Sequence, residues 1–344
     1  MACLLFPVVL ISTLIAHECT ASPRAKRLII DTDLFSDVDD AGALLLAATA
    51  PTVDLLAVNV NYPSTYSALA ASAILAHYGQ NNLPVGVRRP LTNATFFDSW
   101  FFELGEYTSK VAYHWSGGSL PWGHAEDAWD PVALYRKVLS EAPDHSVTIV
   151  SIGFFDNLSG LLNTSSDIYS PLSGPDLIAT KVSELVIMGG EYPSGYEYNF
   201  WGGNPYLTAH VVNSWKGNIT FSGYEIGENV MSGLRLINEG PAGDPVKAAY
   251  IYYGYNTARP SFDPLTVLYA IEGLGGLFEY GAEYGYNHVE PNGSNRWIYD
   301  KGVTNQRFLR LRVPKDRAGA EIDERLLRAA YSSQGQKSFT RQEL

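Results

Sequence analysis

Thiols are almost absent: the 344 residues include only 2 cysteines, Cys3 and Cys19, both close to the N-terminus. No disulfide framework can brace the rest of the chain, so a folded structure must rest on its core and on any metal it binds. Charge is also sparse at 17%, and basic residues are the minority, with 24 Lys and Arg against 36 Asp and Glu. The resulting net charge of −12 argues against a nucleic-acid polymer as partner, which would favour a basic face. No apolar run reaches the length of a membrane span. Internal repeats, low-complexity tracts and obvious linkers are missing, which predicts one domain. His77, His145, His210 and His288 lack metal-ligand spacing and read as ordinary polar or core residues. The basic stretch from Arg307 to Arg317 reads as a solvated face.

What is present begins with a targeting segment. Leu4 to Ala16 is apolar but short, and Cys19-Thr20-Ala21 offers small residues for cleavage, although no Lys or Arg precedes the apolar stretch. The expectation is a signal peptide over residues 1–21 and a mature domain over 22–344, hence a secreted protein without thiols. Sequons at Asn93, Asn157, Asn163, Asn218 and Asn292 make glycosylation plausible in that compartment.

The mature chain alternates apolar runs with helical patterns. Leu28 to Ile30, Asp54 to Asn61, Leu83 to Val87, Ser146 to Ile152 and Glu184 to Met188 read as strands. Helices are expected over Ala41 to Ala50, Ser67 to Gly79 and Pro131 to Glu141. Ile219 to Ser222 and Ala249 to Tyr253 are shorter strand candidates, followed by a helix from Thr266, a strand over Phe308 to Val313 and a last helix over Ile322 to Tyr331. This order predicts an α/β domain with a mainly parallel, Rossmann-like central sheet flanked by helices. Residues 91–130 break the rhythm with Trp100, Phe101, Phe102, Trp115, Trp122 and Trp129, which fit either a lid over a pocket or an apolar cluster under a long loop.

One stretch concentrates carboxylates. Asp31, Asp33, Asp37, Asp39 and Asp40 follow the first apolar run directly. Groups packed so closely repel one another, and a hard divalent cation with oxygen ligands is the natural remedy. Asp37, or Ser36, has the spacing of a helix cap and is expected to serve as one. Two later turns are also rich in carboxylate or carbonyl groups: Gly153-Phe154-Phe155-Asp156-Asn157 and Phe262-Asp263-Pro264. In a parallel sheet the three converge on one edge. There Asp31, Asp33, Asp40, Asp263 and the Asp156 backbone carbonyl could form a Ca²⁺ shell with waters, and a nearby carboxylate could activate water. The residues themselves thus point to a metal-assisted hydrolase.

The same residues resemble the inosine-uridine-preferring nucleoside hydrolases, which cleave the N-glycosidic bond of ribonucleosides. The family element D-x-D-x-G-x-D-D-A is matched by Asp31-Thr32-Asp33 and Asp39-Asp40-Ala41, with two extra residues between the pairs and no Gly. The family's G-P-L-T-N turn is echoed by Gly153 to Asn157, its M-G-G and E-F-N by Met188-Gly189-Gly190 and Glu197-Tyr198-Asn199, and its H-D-P by Phe262-Asp263-Pro264. The likeness runs in order from about residue 27 to 330.

That resemblance implies roles. Asp33 would ligate Ca²⁺ and act as general base on the attacking water; Asp40, Asp263 and the Asp156 backbone carbonyl would complete the protein ligands. Asp39, Glu197 and Asn199 would grip the ribose hydroxyls, with Asp31 orienting the site from behind. Asn61 departs from a family turn and fits either a replacement ribose contact or a turn cap. Phe262 stands where the family has a His that protonates the leaving base in some members. Either the preferred base differs, or activation comes from elsewhere, by stacking on Phe262 or Trp201 or from an acid such as Glu225 or a Tyr. Family members are often dimers or tetramers, so a homo-oligomer is implied. The expected activity is a secreted, Ca²⁺-dependent release of free base and ribose in nucleoside catabolism or purine salvage. Its rival is a non-catalytic Ca²⁺- and nucleoside- or sugar-binding protein on the same fold. A haloacid-dehalogenase-like phosphohydrolase fits less well, because it leaves Asp39-Asp40-Ala41 unexplained. Asn157 lies in the metal turn, where a glycan would obstruct the site, so that sequon is expected to stay unused.

Overall fold

The computed structural model describes residues 25–340. The expected signal peptide, both cysteines and residues 22–24 lie outside the described residues. Strands β1 (Lys26–Thr32), β2 (Val53–Val60), β3 (Val85–Val87), β4 (Val147–Ile152) and β5 (Val182–Met188) form most of one 8-stranded sheet. β1 pairs in parallel with both β2 and β4, β3 lies outside β2, and β5 lies outside β4. Beyond β5 come Ile219–Ser222 and Gln306–Leu311, also parallel, and then Phe278–Ala282, which closes that edge antiparallel.

The sheet is buried on both faces, which is why its strands read as near-continuous Val, Ile and Leu. Successive side chains of β1 point to opposite sides. Leu28 and Ile30 enter one core with the helix α1 (Asp39–Thr49), while Ile29 enters a second core with Ile149, Leu185 and Phe221. The chain leaves β1 toward β2 on one side and later returns as β4 on the other. The gap between the carboxyl ends of β1 and β4 is therefore a topological switch point, where open α/β sheets place their ligands. Among the described residues no helix is long and apolar enough to cross a membrane.

The expected parallel α/β architecture is the observed one, with four local departures, one of them the helix expected from Thr266, which begins at Phe262. Ala249 to Tyr253, expected as a strand, lies inside the helix Pro245–Gly254. The Asp244 side chain accepts from Val246 N at 3.0 Å and Lys247 N at 2.9 Å, and Pro245 occupies the first helical position. That cap outweighs the β-favouring Tyr and Ile residues. α1 starts at Asp39, two residues earlier than expected, and no side chain caps it. The last helix begins at Lys315 instead of Ile322. Asp39 and Asp40 thus occupy the first turn of α1, where the helix dipole favours negative charge.

Candidate active site

Asp31 is the last residue but one of β1, level with Asn59 on β2 and Ser151 on β4. Its carboxylate is fully buried and accepts from Asn61 Nδ2 at 2.7 Å, Tyr135 Oη at 2.7 Å and Asn157 Nδ2 at 3.2 Å. Burial pushes its pKa up to about 7 against the pull of these donors. Asn61 also donates to the Phe154 carbonyl at 2.9 Å and accepts from Phe154 N at 3.2 Å. Asn61, expected to touch ribose, is instead fully buried with both ends of its amide spent inside the protein. It joins the β2 end to the turn after β4, and so supports Asp31. Asn157 is buried with its amide on Asp31, a position closed to a glycan.

Asp33 follows β1 and lies against Gly153, where a β-carbon would come within 2.5 Å of Asp33 N. Only a glycine lets the β4 turn approach this closely. Burial first, and then the charge of Asp37, raise the Asp33 pKa to about 8. Asp156 opens the helix Asp156–Leu162, and its carboxylate pairs with Arg88 at 2.9 Å. One carboxylate oxygen thus serves Arg88, while the other, Oδ2, is buried without a partner.

Asp39, Asp40 and Asp263 form a buried group whose ligand oxygens lie within 4.8 Å of one another. The Asp39 carboxylate accepts from Phe262 N at 2.9 Å and Asp263 N at 3.1 Å, the free amides that open the helix Phe262–Glu272. The Thr32 hydroxyl donates to Asp40. Burial, followed by the neighbouring carboxylates, raises the pKa of Asp39, Asp40 and Asp263 well above the usual carboxylate range. The group differs from the expected ligand set in one member. Asp39 joins Asp40 and Asp263 because the helix amides draw it there, and Asp33 is not one of the three.

Asp37, expected to cap α1, does not. Both its oxygens receive the Arg259 guanidinium, Nε at 2.8 Å and Nη2 on the other oxygen, and Tyr107 donates to its carbonyl. Arg259 also faces the Tyr253 ring, 5.3 Å from its centroid. Sequence reasoning missed Arg259, Tyr135 and Tyr107. Their only signal was Arg259 standing three residues before Phe262.

Glu197 and Asn199 bound the other side. Glu197 accepts from Asn199 N at 2.8 Å and Gly190 N at 3.0 Å, and burial raises its pKa to about 7. The Asn199 amide donates to the carbonyl of Met188, the last residue of β5, at 3.3 Å. Phe262 stacks on Tyr224 with ring centroids 5.5 Å apart. From the lid-like region, Trp100 meets the edge of the Tyr198 ring at 6.4 Å.

The site is thus a cluster of buried carboxylates at the β1/β4 switch point, with an amide and a carboxylate from the β5 side and aromatic rings nearby. A family model described as inosine-uridine preferring nucleoside hydrolase matches residues 28–318. The pyrimidine-specific ribonucleoside hydrolase RihA of Photobacterium profundum is 30% identical over 182 residues. That match covers 50% of this chain and 50% of RihA, so the chain spans about half the length of this curated relative. The plant nucleoside hydrolase PpNRh1 superposes with a TM-score of 0.66 at 20% identity, over 88% of this chain and 99% of that one. The inosine-uridine preferring nucleoside hydrolase from Bacillus anthracis gives 0.61 at 17% identity over the same shares, 88% and 99%. At such identities these two structures speak for the fold. The family match and the ordered site residues together carry the assignment: this chain belongs to the inosine-uridine preferring nucleoside hydrolase family.

Proposed function

We propose that the protein is a secreted, Ca²⁺-dependent nucleoside hydrolase that converts ribonucleosides to ribose and free base. The observation that carries this reading is the buried carboxylate group of Asp39, Asp40 and Asp263 beside Asp33, walled by Glu197 and Asn199.

The donor set fits a hard divalent cation. All its ligand atoms are oxygens, and Ca²⁺ accepts carboxylates, carbonyls and water in one shell. Burial raises the pKa of Asp40 and Asp263 well above the usual carboxylate range and that of Asp33 to about 8, and added positive charge would favour the ionised forms that ligation and base action need. Asp33, Asp40 and Asp263 would hold the ion with the Asp156 carbonyl, and Asp39 adds its charge from the helix end. A bound divalent cation acidifies water and polarises hydroxyl groups.

The chain's own residues supply the rest. Ionised Asp33 takes the proton of the water that attacks the sugar carbon. Asp39, Glu197 and Asn199 hold ribose hydroxyls and place negative and dipolar charge around a ring that becomes oxocarbenium-like, an effect realised most fully in the transition state. Asp31, pinned by three donors, keeps the β1 end rigid behind Asp33.

The test is base release by the purified mature protein from a panel of purine and pyrimidine ribonucleosides, with and without chelator. Release that disappears with EDTA supports the proposal. Phe262 in place of a proton-donating His favours the rival reading as a binding protein, and nucleoside binding without turnover across the panel would establish that reading instead. Secretion is checked separately by N-terminal sequencing of protein from the culture medium, with Ser22 as the expected first residue.

A further inference from the structure

Glu197 and Asn199, which hold the sugar in the proposed reaction, hang on one turn. Gly190 N donates to Glu197 Oε2 at 3.0 Å, and the Met188 carbonyl accepts from the Asn199 amide at 3.3 Å. Met188 is the last residue of β5. Beyond it, Gly189 N still reaches Ser222 O at 3.0 Å, and Gly190 O accepts from Tyr224 N at 2.8 Å. From Glu191 onward the chain has left the main sheet, and the exact place of the Gly190 amide depends on what holds Glu191.

A second, three-stranded sheet takes over there. The antiparallel strands Tyr286–Val289 and Asn295–Ile298 form a hairpin, and its second strand pairs with Ser194–Gly195. Asn295 opens that second strand, level with Gly195 and only 4% exposed. Its Oδ1 accepts from Glu191 N at 3.0 Å, and its Nδ2 donates back to Glu191 O at 3.0 Å. One side-chain amide thus closes on both main-chain groups of Glu191. Nδ2 also donates to Asn287 Oδ1 at 3.1 Å. Asn287 Nδ2 donates to Tyr192 Oη at 3.0 Å, and that hydroxyl donates to Gly189 O at 3.3 Å. The network therefore grips the turn at Gly189 and at Glu191, on either side of Gly190. Gly190 itself has φ +75°, and a β-carbon there would lie 3.2 Å from Asn295 Cγ and 3.0 Å from Tyr192 Oη. Only a glycine lets the turn press so closely on the clamp. Asn is disfavoured in strands, and a buried amide network stabilises only when every member is satisfied, so it selects one arrangement of the loop.

We propose that Asn295 is a positioning residue for nucleoside cleavage: by closing on both main-chain groups of Glu191 it fixes the Gly190 amide and, through it, the Glu197 carboxylate that faces the ribose. The inference rests on the hydrolase reading above. It gives the hairpin a task in the reaction, although none of its residues touches the sugar.

The test is a double-mutant cycle in steady-state kinetics on the best ribonucleoside, with Asn295→Ala, Glu197→Ala and the two combined. Asn295→Ala is expected to lower kcat/KM by about 10- to 100-fold with KM raised, the size of loss that a misplacement of about 1 Å produces. In the Glu197→Ala background the same change should cost less than about 3-fold, because the side chain it positions is gone. Should Asn295→Ala fail to melt cooperatively, Asn295→Asp takes its place. That variant keeps an acceptor for Glu191 N but sets an oxygen against Glu191 O and Asn287 Oδ1, and the same pattern is expected. A loss that stays full-sized in the Glu197→Ala background would overturn the proposal. So would a fall in kcat alone that follows the folded fraction, or unchanged kinetics in Asn295→Ala. A wild-type protein inert toward every nucleoside would instead sink the hydrolase reading, and this inference with it.

Discussion

Arg259 forks onto Asp37 across 222 residues of chain, one nitrogen on each carboxylate oxygen. The pair explains the extra residues between Asp33 and Asp39. They carry an anion out to a cation on the strand that leads into Phe262 and Asp263, and so brace the two halves of the site against each other. Both side chains are only 28% exposed. Arg259→Met leaves a half-buried carboxylate unpaired among others and is expected to cost about 2–4 kcal/mol in urea unfolding. The double variant Asp37→Asn, Arg259→Met should be less destabilised than Arg259→Met alone. Equal losses would show that the pair is not coupled.

Asp33→Asn keeps the shape of the side chain but cannot take a proton from water. Base release should fall by about 10²–10⁴-fold while the protein remains folded. Steady-state kinetics on the best nucleoside, with a melting curve as control, measures this. Activity within a few-fold of wild type would transfer the role of base to another residue.

Metal removal should make stability pH-dependent. Folding raises the pKa of Asp31 and Glu197 to about 7 and of Asp33 to about 8, from unfolded values near 4. Between those limits the folded chain holds more protons than the unfolded one, so its stability falls as pH rises through the window. Asp98 and Asp167, held down to about 2 by hydrogen bonds, act only at lower pH. In chelator the Tm should therefore be lower at about pH 8 than at about pH 5. Saturating Ca²⁺ should raise it more at the higher pH, where the carboxylates are free of protons. Calorimetry showing Tm rising with pH in chelator would contradict the burial argument.

Gly153→Ala tests the close approach of the β4 turn. The new methyl would lie 2.8 Å from Asp33 Cβ and 2.5 Å from its amide nitrogen. Displacing Asp33 by even about 1 Å should lower kcat/KM by roughly 100-fold. A variant with wild-type kinetics would mean that the turn yields instead of Asp33.

Much of the architecture was legible because buried parallel strands announce themselves. Runs such as Leu28 to Ile30 and Val147 to Ile152 have few other uses in a folded chain. The carboxylates were legible by density, and the order of the short motifs pointed to Asp40 and Asp263 as neighbours, which they are. What escaped was decided across long distances. Asp37 looked like a cap because local spacing is all a sequence offers, while its partner lies on a strand formed much later. Asn61 looked free for substrate until β2 and the β4 turn closed on it. Ala249 to Tyr253 is helical for a different reason: the Asp244-Pro245 cap is a local signal that overrides the β-favouring aromatic residues.

The bonds from Phe262 N and Asp263 N to Asp39 span 223 and 224 residues. During synthesis, then, the acidic stretch emerges early and must wait for most of the domain before its neighbours exist. A chain still on the ribosome, or cut anywhere before Asp263, carries exposed aspartates without a pocket. The carboxylate site is in this sense a seal set last, formed only on molecules that have been made and folded as far as the helix after Ser261.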